Sequence, residues 1–260
     1  MIVEKINAYL NSTGQTIPEA ILNEVGELAK WSFQRQFGER EETEAKLRLS
    51  SVGRCVRQQS YKLLGFEENG KSIDARARMV FFTGDIAEIA IVQLAKAAGA
   101  NITFSGKDQK TVSLEGIEGH PDGVVDGDTL LEVKSMSSFS FKDFERGVLD
   151  EGYRYQINAY AEALGLSKAI VVALNKDAGV LAEMAVTKDP AIVNDIKLRI
   201  KIIQKATKDK LPPRPFAPND KGFLPWQCNY CFAYKHCWPS AERVVVKNAY
   251  KLKVDLNNVA

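Results

Sequence analysis

The chain has 260 residues, 45% of them hydrophobic, which is enough for one large α/β domain with additions or for two small ones. Its formal net charge of +2 does not by itself indicate a nucleic-acid partner, so local charge has to carry that argument. No run of about 18 apolar residues occurs, which argues against a transmembrane helix.

The start, Met1-Ile2-Val3-Glu4-Lys5, lacks the basic and apolar regions of a secretory signal. Four cysteines in a chain of this size do not make a disulfide framework. The expectation is a cytoplasmic, reducing location. Residues 1–48 read as an N-terminal helical segment, in which Ile17-Pro18-Glu19-Ala20 opens a helix and Ile21, Val25, Leu28 and Trp31 follow at helical spacing. The stretch from Phe33 to Lys46 is heavily charged and reads as solvated.

From Leu49 the chain reads as a second region that extends to about residue 240. Ser50 or Ser51 can cap a helix that runs to Leu64 and stops at Gly65. Cys55 sits between Arg54 and Arg57, where positive charge favours a thiolate. A helix from about Arg76 to Ala98 follows and ends at Gly99. It carries Glu88 next to the apolar run Ile89-Ala90-Ile91-Val92. Glu88 is either a solvated face residue or a carboxylate that reaches toward the sheet.

Ile102–Ser105 and 111–115 alternate like strands. The next stretch, Gly119 to Ser135, reads as a strand, a turn at Asp126-Gly127-Asp128 and a second strand from Thr129 to Lys134. Alternation along a strand puts Glu132 and Lys134 on one side, and the preceding strand can bring Asp122 beside them. Two carboxylates and an ammonium at one point make a hard-cation site suited to chemistry on a phosphate. A salt-bridged edge hairpin is the competing reading.

The stretch 136–152 is rich in Ser, Phe and charge, has no clear period, and reads as an irregular crossover or loop. A helix from Tyr153 to Leu164 puts Gln156 and Tyr160 on one face. A buried-type strand covers 168–174, a return strand 180–186, and Asp189-Pro190 opens a long helix to about Ala206. The basic residues from Lys197 to Arg214, Lys201 and Lys205 among them, are either a solvated face or a phosphate-tracking stripe.

Cys228-x2-Cys231-x5-Cys237 brings three thiols within reach of one centre, and Cys55 completes a set of four. Zinc, with His236 as an alternative ligand, an iron–sulfur cluster and unmetallated thiols are all open. The tail, 241–260, can add an edge strand or an arm.

Asp122, a nine-residue gap and Glu132-x-Lys134 resemble the core of the PD-(D/E)XK nuclease superfamily, with Pro121-Asp122 matching its first two letters. Gly84-x-x-x-Glu88 before the hairpin resembles the first motif of the superfamily, and Gln156-x-x-x-Tyr160 after it resembles a motif of RecB-like nucleases. One cysteine far upstream and three near the C-terminus resemble the iron–sulfur staple of some RecB-like nucleases, the CRISPR-associated four-cysteine nucleases among them. Val56 and Gln58 depart from the usual surroundings of the first cysteine. The resemblance runs from residue 55 to 237, and its strength lies in the order of six steps.

It implies an α/β, restriction-endonuclease-like core: a central mixed β-sheet flanked by helices and closed by a four-cysteine metal cluster. It implies a metal-dependent DNA nuclease, an exonuclease acting on ends or single strands. Asp122, Glu132, Glu88 and the Val133 carbonyl would hold Mg2+ or Mn2+, with Lys134, Gln156 and Tyr160 completing the catalytic set. Cys55, Cys228, Cys231 and Cys237 would hold a 4Fe-4S cluster, and Arg57, Tyr153, Tyr155, Lys201 and Lys205 would contact DNA. The competing implication is a DNA-binding adaptor of a recombination, CRISPR or phage complex, with weak or no cleavage.

Overall fold

The computed structural model describes residues 1–39, 46–66, 74–247 and 249–256. Most of the charged end of the N-terminal segment, 40–45, lies outside the described residues. Helix α1 (Ile2–Asn11) buries Ile2, Val3 and Ile6, and its first two N–H groups donate to one oxygen of Glu183 at 2.8 and 3.0 Å. A carboxylate there satisfies donors that a helix start leaves open and complements the helix dipole. Helix α2 (Glu19–Phe37) has Pro18 at its cap and buries Leu28, Ser32 and Gln36. Trp31, read as part of the apolar face, is instead exposed, with the Arg35 guanidinium 4.1 Å from its ring centre. The buried face of α2 turns polar after Leu28 because a carboxylate on another helix faces it.

A single 3-10 turn, Leu49–Ser51, takes up the serines expected to cap the next helix. Helix α3 (Val56–Leu63) is capped by Cys55, whose sulfur accepts the Gln58 N–H at 3.5 Å. Helix α4 (Ala75–Ala97) is capped by Asp74 and ends before Gly99, at φ +78.

The strands are β1 (Ile102–Thr103), β2 (Val112–Leu114), β3 (Ile117–Gly119), β4 (Gly123–Val125) and β5 (Thr129–Met136). The one strand expected from Gly119 to Val125 is therefore split. β3 pairs with β2, while β4 pairs with β1 and β5. Pro121 has no N–H to give a ladder, and it stands at the break. The hairpin turn itself is as expected: Asp126 and Gly127 both have positive φ, +51 and +79, the backbone that an Asp-Gly pair accepts in a two-residue loop.

Residues 136–152 are not the irregular loop expected from their composition. β5 continues to Met136, and helix α5 (Ser138–Glu145) starts with the Ser140 N–H on the Ser137 hydroxyl and buries Phe141 and Phe144. Two phenylalanines three apart are too short a repeat to register as helical. Helix α6 (Glu151–Leu164) ends at Gly165, and β6 (Lys168–Asn175) and β7 (Val180–Thr187) follow. The sheet order is β1-β4-β5-β6-β7, antiparallel except for β5 with β6, whose crossover contains α5 and α6. The structure thus has the expected α/β class, with a central mixed sheet flanked by helices. α1 and α4 pack Ile6, Ile91 and Ala95 against Leu131, Val133 and Val172 of the sheet. Burying each large aliphatic of this layer contributes about 1.5–3 kcal/mol.

After β7 come α7 (Pro190–Gln204), the short helices α8 (Trp226–Asn229) and α9 (Tyr234–Cys237), and a hairpin of β8 (Glu242–Val246) with β9 (Ala249–Lys253). The chain forms two compact units, and they cut across the segments 1–48, 49–240 and 241–260. The first holds α1, α2, α4 to α6, β1 to β7 and the start of α7 as far as Ile196. The second holds α3 and everything from Lys197 onward, around a small core of Leu224, Tyr234, Trp238, Leu252 and Val254. No helix among the described residues is long and apolar enough to cross a membrane.

Glu183 is the anchor of α1 on the sheet. Glu183→Ala is expected to lower stability by about 1–2 kcal/mol, the usual cost of losing a helix cap. Urea unfolding measures it, and hydrogen exchange should show the loss concentrated in 2–11.

Candidate functional site

Glu132 lies in the centre of β5, 1% exposed, with β4 on one side and β6 on the other. The pleat brings Lys134 to the same face, and its ammonium donates to Glu132 Oε1 at 2.5 Å. Gln156, one turn into α6, donates its amide nitrogen to the same oxygen at 2.5 Å and accepts from Lys134 at 3.4 Å. Oxygen Oε1 thus accepts two hydrogen bonds, whereas Glu132 Oε2 is buried with no hydrogen-bond partner among the described residues. Asp122, also buried, accepts the Val133 N–H at 2.7 Å, so the turn before β4 is tied to the middle of β5.

Three acids feel one another here. Burial, then the charges of Glu132 and Asp85, push Glu88 up to about 7. Burial, Glu132 and Glu88 push Asp122 well above the usual carboxylate range. Burial also raises Glu132, and the neighbouring Lys134 only partly offsets it. For Lys134, burial alone would depress the pKa, but Glu132 and Asp122 outweigh it and hold the ammonium firmly charged. Glu88 therefore belongs to the site electrostatically and is not a remote surface residue. Among the described residues, no three His, Cys, Asp or Glu side chains stand close enough together to hold an ion as they are placed. The donor set is nonetheless of the hard-cation kind: buried, all oxygen, mutually repelling, and with one oxygen left unpaired.

Tyr160 is 3% exposed, and its hydroxyl is hydrogen-bonded to the backbone of His120. Its ring lies on Gly119, where an added Cβ would come within 2.5 Å of Tyr160 Cε1 and 2.9 Å of Leu49 Cβ. Tyr160 thus supports the turn that carries Asp122. Tyr153 is placed with Lys134, whose ammonium is 4.9 Å from its ring centre. The Tyr155 hydroxyl instead donates to Asp195 at 2.7 Å. Lys201, on the far half of α7, and Lys205, just after its end, are exposed in the second unit.

A residue that the motifs missed is Asp85. It accepts from Ser32 at 2.6 Å, Arg35 at 2.6 Å and Gln36 at 3.0 Å, all on α2. Charge-assisted bonds of this kind contribute about 1.5–3 kcal/mol each. They fix α4 one turn before Glu88. The available signal was an acid three residues before Glu88, in the mostly apolar middle of α4, but its partners are about 50 positions upstream.

In the second unit, Cys228 is pushed up to about 12 by burial and by Cys231, Cys237 and Cys55. Cys231 is pushed up to about 11, first by burial and then by Cys55 and Cys237. The four thiols therefore lie within one another's field. Cys55 is also raised, against the expectation from its flanking arginines, because burial outweighs the N–H groups of Gln58 and Arg57. Arg57 is engaged internally: it donates to the Tyr61 hydroxyl at 3.2 Å, to the Pro212 carbonyl and to Cys237. His236, the alternative ligand, has its ring centre 5.2 Å from that of Phe66.

No family model matches the sequence, and no curated protein is significantly similar to it. Three similar solved structures are all distant. An alkaline exonuclease from Laribacter hongkongensis is 16% identical with a TM-score of 0.47, over 67% of this chain and 90% of that one. SSO0001 is 17% identical, also at 0.47, over 80% and 93%. A phage related exonuclease from Haemophilus somnus 129PT is 13% identical at 0.40, over 63% and 93%.

The acid cluster has a consequence for stability. Between about pH 4.5 and 7 the folded chain keeps a proton on Glu88 that the unfolded chain has released. Stability of the metal-free protein should therefore fall as pH rises through that window, and Asp122 and Glu132 add in the same direction. Urea unfolding in chelator from pH 4 to 8 measures this, and Glu88→Gln is expected to flatten part of the slope.

Proposed function

We propose that the chain is a metal-dependent nuclease that hydrolyses DNA phosphodiester bonds, acting as an exonuclease on ends or single strands. The observation that carries this reading is the set of buried, mutually repelling acids around Lys134, with Glu132 Oε2 left without a partner. Burying several carboxylates beside one ammonium costs folding energy unless a cation repays it. Mg2+ or Mn2+ suits an all-oxygen set, with Asp122, Glu132 and Glu88 as its holders and the Val133 carbonyl as a further donor. Such an ion supplies polarisation of the phosphate and a lowered pKa for water.

The chain's own groups do the rest. Lys134, held charged by Glu132, donates toward the nucleophile or toward charge developing on the phosphate. Gln156 bridges Lys134 and Glu132 and fixes both. Tyr160 keeps Asp122 in place through the turn at His120. Tyr153, beside Lys134, is positioned to meet a base.

For the second unit we propose a structural 4Fe-4S cluster on Cys55, Cys228, Cys231 and Cys237. Four thiols that raise one another's pKa gain most from a cation that takes them as thiolates. Zinc on the same cysteines is the alternative. The second reading is a DNA-binding adaptor that cleaves weakly or not at all, and it is favoured in that, among the described residues, no three of the acids stand close enough together to hold an ion as placed.

Asp122→Asn, Glu132→Gln and Lys134→Ala, checked for folding, are each expected to lower Mg2+- or Mn2+-dependent cleavage of end-labelled DNA at least about a hundredfold. An inactive wild type that still binds DNA would favour the adaptor. Anaerobic purification is expected to give a brown protein with four irons per chain, and Cys237→Ser a colourless, less stable one. A colourless wild type holding zinc would replace the cluster with zinc.

A further inference from the structure

The net charge of +2 conceals a strong division along the chain. Residues 197–260 hold thirteen Lys and Arg against four Asp and Glu, whereas residues 1–196 hold twenty-two against twenty-nine. A segment this basic in a nearly neutral chain is the footprint of a polyanion partner. Within it, Glu242–Val246 and Ala249–Lys253 of the tail form the β8–β9 hairpin.

The base of this hairpin is rigid. Leu252 and Val254 are buried in the core of the second unit. The Leu252 N–H donates to the Asn229 side chain at 2.8 Å, Leu224 N–H to the Leu252 carbonyl at 3.0 Å, and Val254 N–H to Gly222 at 2.9 Å. Its far end is different. Val245 and Tyr250 are cross-strand partners and stand 64% and 73% exposed. Arg243 shares their face, and Lys247 stands at the turn with φ +49. Among the described residues, no ion pair engages Arg243, Lys247, Lys251 or Lys253. Helix α8, which is bonded to β9 through Asn229, adds Trp226 at 62% exposure, and Tyr230 follows it at 83%.

Tyr250 on the hairpin, and Trp226 and Tyr230 at the helix bonded to its base, are large rings left in water, and Arg243, whose guanidinium lies 5.2 Å from the Tyr234 ring centre, and Lys247 have no carboxylate partner among the described residues. Exposed rings of this kind stack bases while neighbouring charges hold phosphates. The rings and Arg243 would also suit a protein partner, but the thirteen Lys and Arg against four Asp and Glu of this segment, most of them Lys, favour a polyanion. We propose that the β8–β9 hairpin, with Trp226 and Tyr230, is a docking surface for an unpaired nucleic-acid strand. Tyr250 stacks a base, and Arg243 and Lys247 take phosphates. The ligand class rests on the nuclease reading, but the surface uses none of the carboxylate residues.

The test is fluorescence anisotropy of the full chain with a labelled single strand of about 20 nucleotides, in chelator so that neither metal nor cleavage intervenes. Tyr250→Ala is expected to weaken binding about fivefold or more, with Tyr250→Phe near wild type. Arg243→Gln with Lys247→Gln should reduce the slope of log affinity against log salt by about 1.4, because two phosphates are no longer neutralised. These side chains are exposed, so unchanged thermal melting confirms intact folding. If the wild type binds and every variant binds with the same affinity and salt slope, the hairpin serves another partner and the proposal is overturned. A wild type that cleaves DNA while the variants bind unchanged defeats this inference and leaves the nuclease reading standing. A wild type that neither cleaves nor binds defeats both. Asp122→Asn that loses cleavage but keeps wild-type binding, alongside a weakened Tyr250→Ala, supports both.

Discussion

Repulsion among buried carboxylates is the constraint around which the first unit is arranged. Burial first, and then the charge of Glu132 on Glu88 and Asp122 and of Glu88 on Asp122, raises the cost of ionising these acids, while Lys134, Arg35 and the Val133 N–H act against it. Packing alone would place apolar residues at these positions, as it does at the neighbouring Leu131 and Val133. Keeping acids there requires a scaffold that does not yield, because a strained site relaxes unless its surroundings over-determine it. The supports are specific. Val133 holds Asp122 by its N–H, Gln156 holds Glu132 and Lys134 together, and Tyr160 fits against Gly119, where only a hydrogen leaves room.

The N-terminal helices take part in the same arrangement. Asp85 is bound three ways by α2, and Glu88 stands one turn further along α4. Helix α1 lies on the sheet through Glu183, and its Ile6 packs in the layer that contains Leu131 and Val133. A region without a recognisable motif thus sets the position of a site residue and backs the strand that carries two others. The acidic bias of residues 1–196 agrees with the cation site proposed for the first unit, and the basic bias of the remainder with the proposed polyanion partner. One chain therefore presents both electrostatic characters, and averaging over its whole length hides each of them.

The elements read correctly from the residues are those whose signals are local. Asp126-Gly127 marks a turn because both positions need positive φ, and Gly165 and Gly99 end helices for the same reason. Glu132 and Lys134 had to share a face once β5 was a strand. Elements misread were those with too few residues to show a period. Helix α5 has only Phe141 and Phe144 on its buried side, and Pro121 divides what looked like one strand into β3 and β4. Trp31 fitted a helical repeat and is nevertheless exposed, because Asp85 makes the adjoining face polar.

Spacing along the chain singled out the acids, the lysine and the Gln/Tyr pair as one group of candidates, and the four cysteines as another. It was also sufficient to place the hairpin, since turns and strand alternation depend on a handful of adjacent residues. The environment of each group was beyond its reach. That Cys55 is raised and not lowered, that Tyr155 is bound to Asp195, and that Glu132 keeps one oxygen without a partner follow from residues brought together over tens of positions. Burial and Coulomb energy depend on distance in space, and only the folded chain sets those distances.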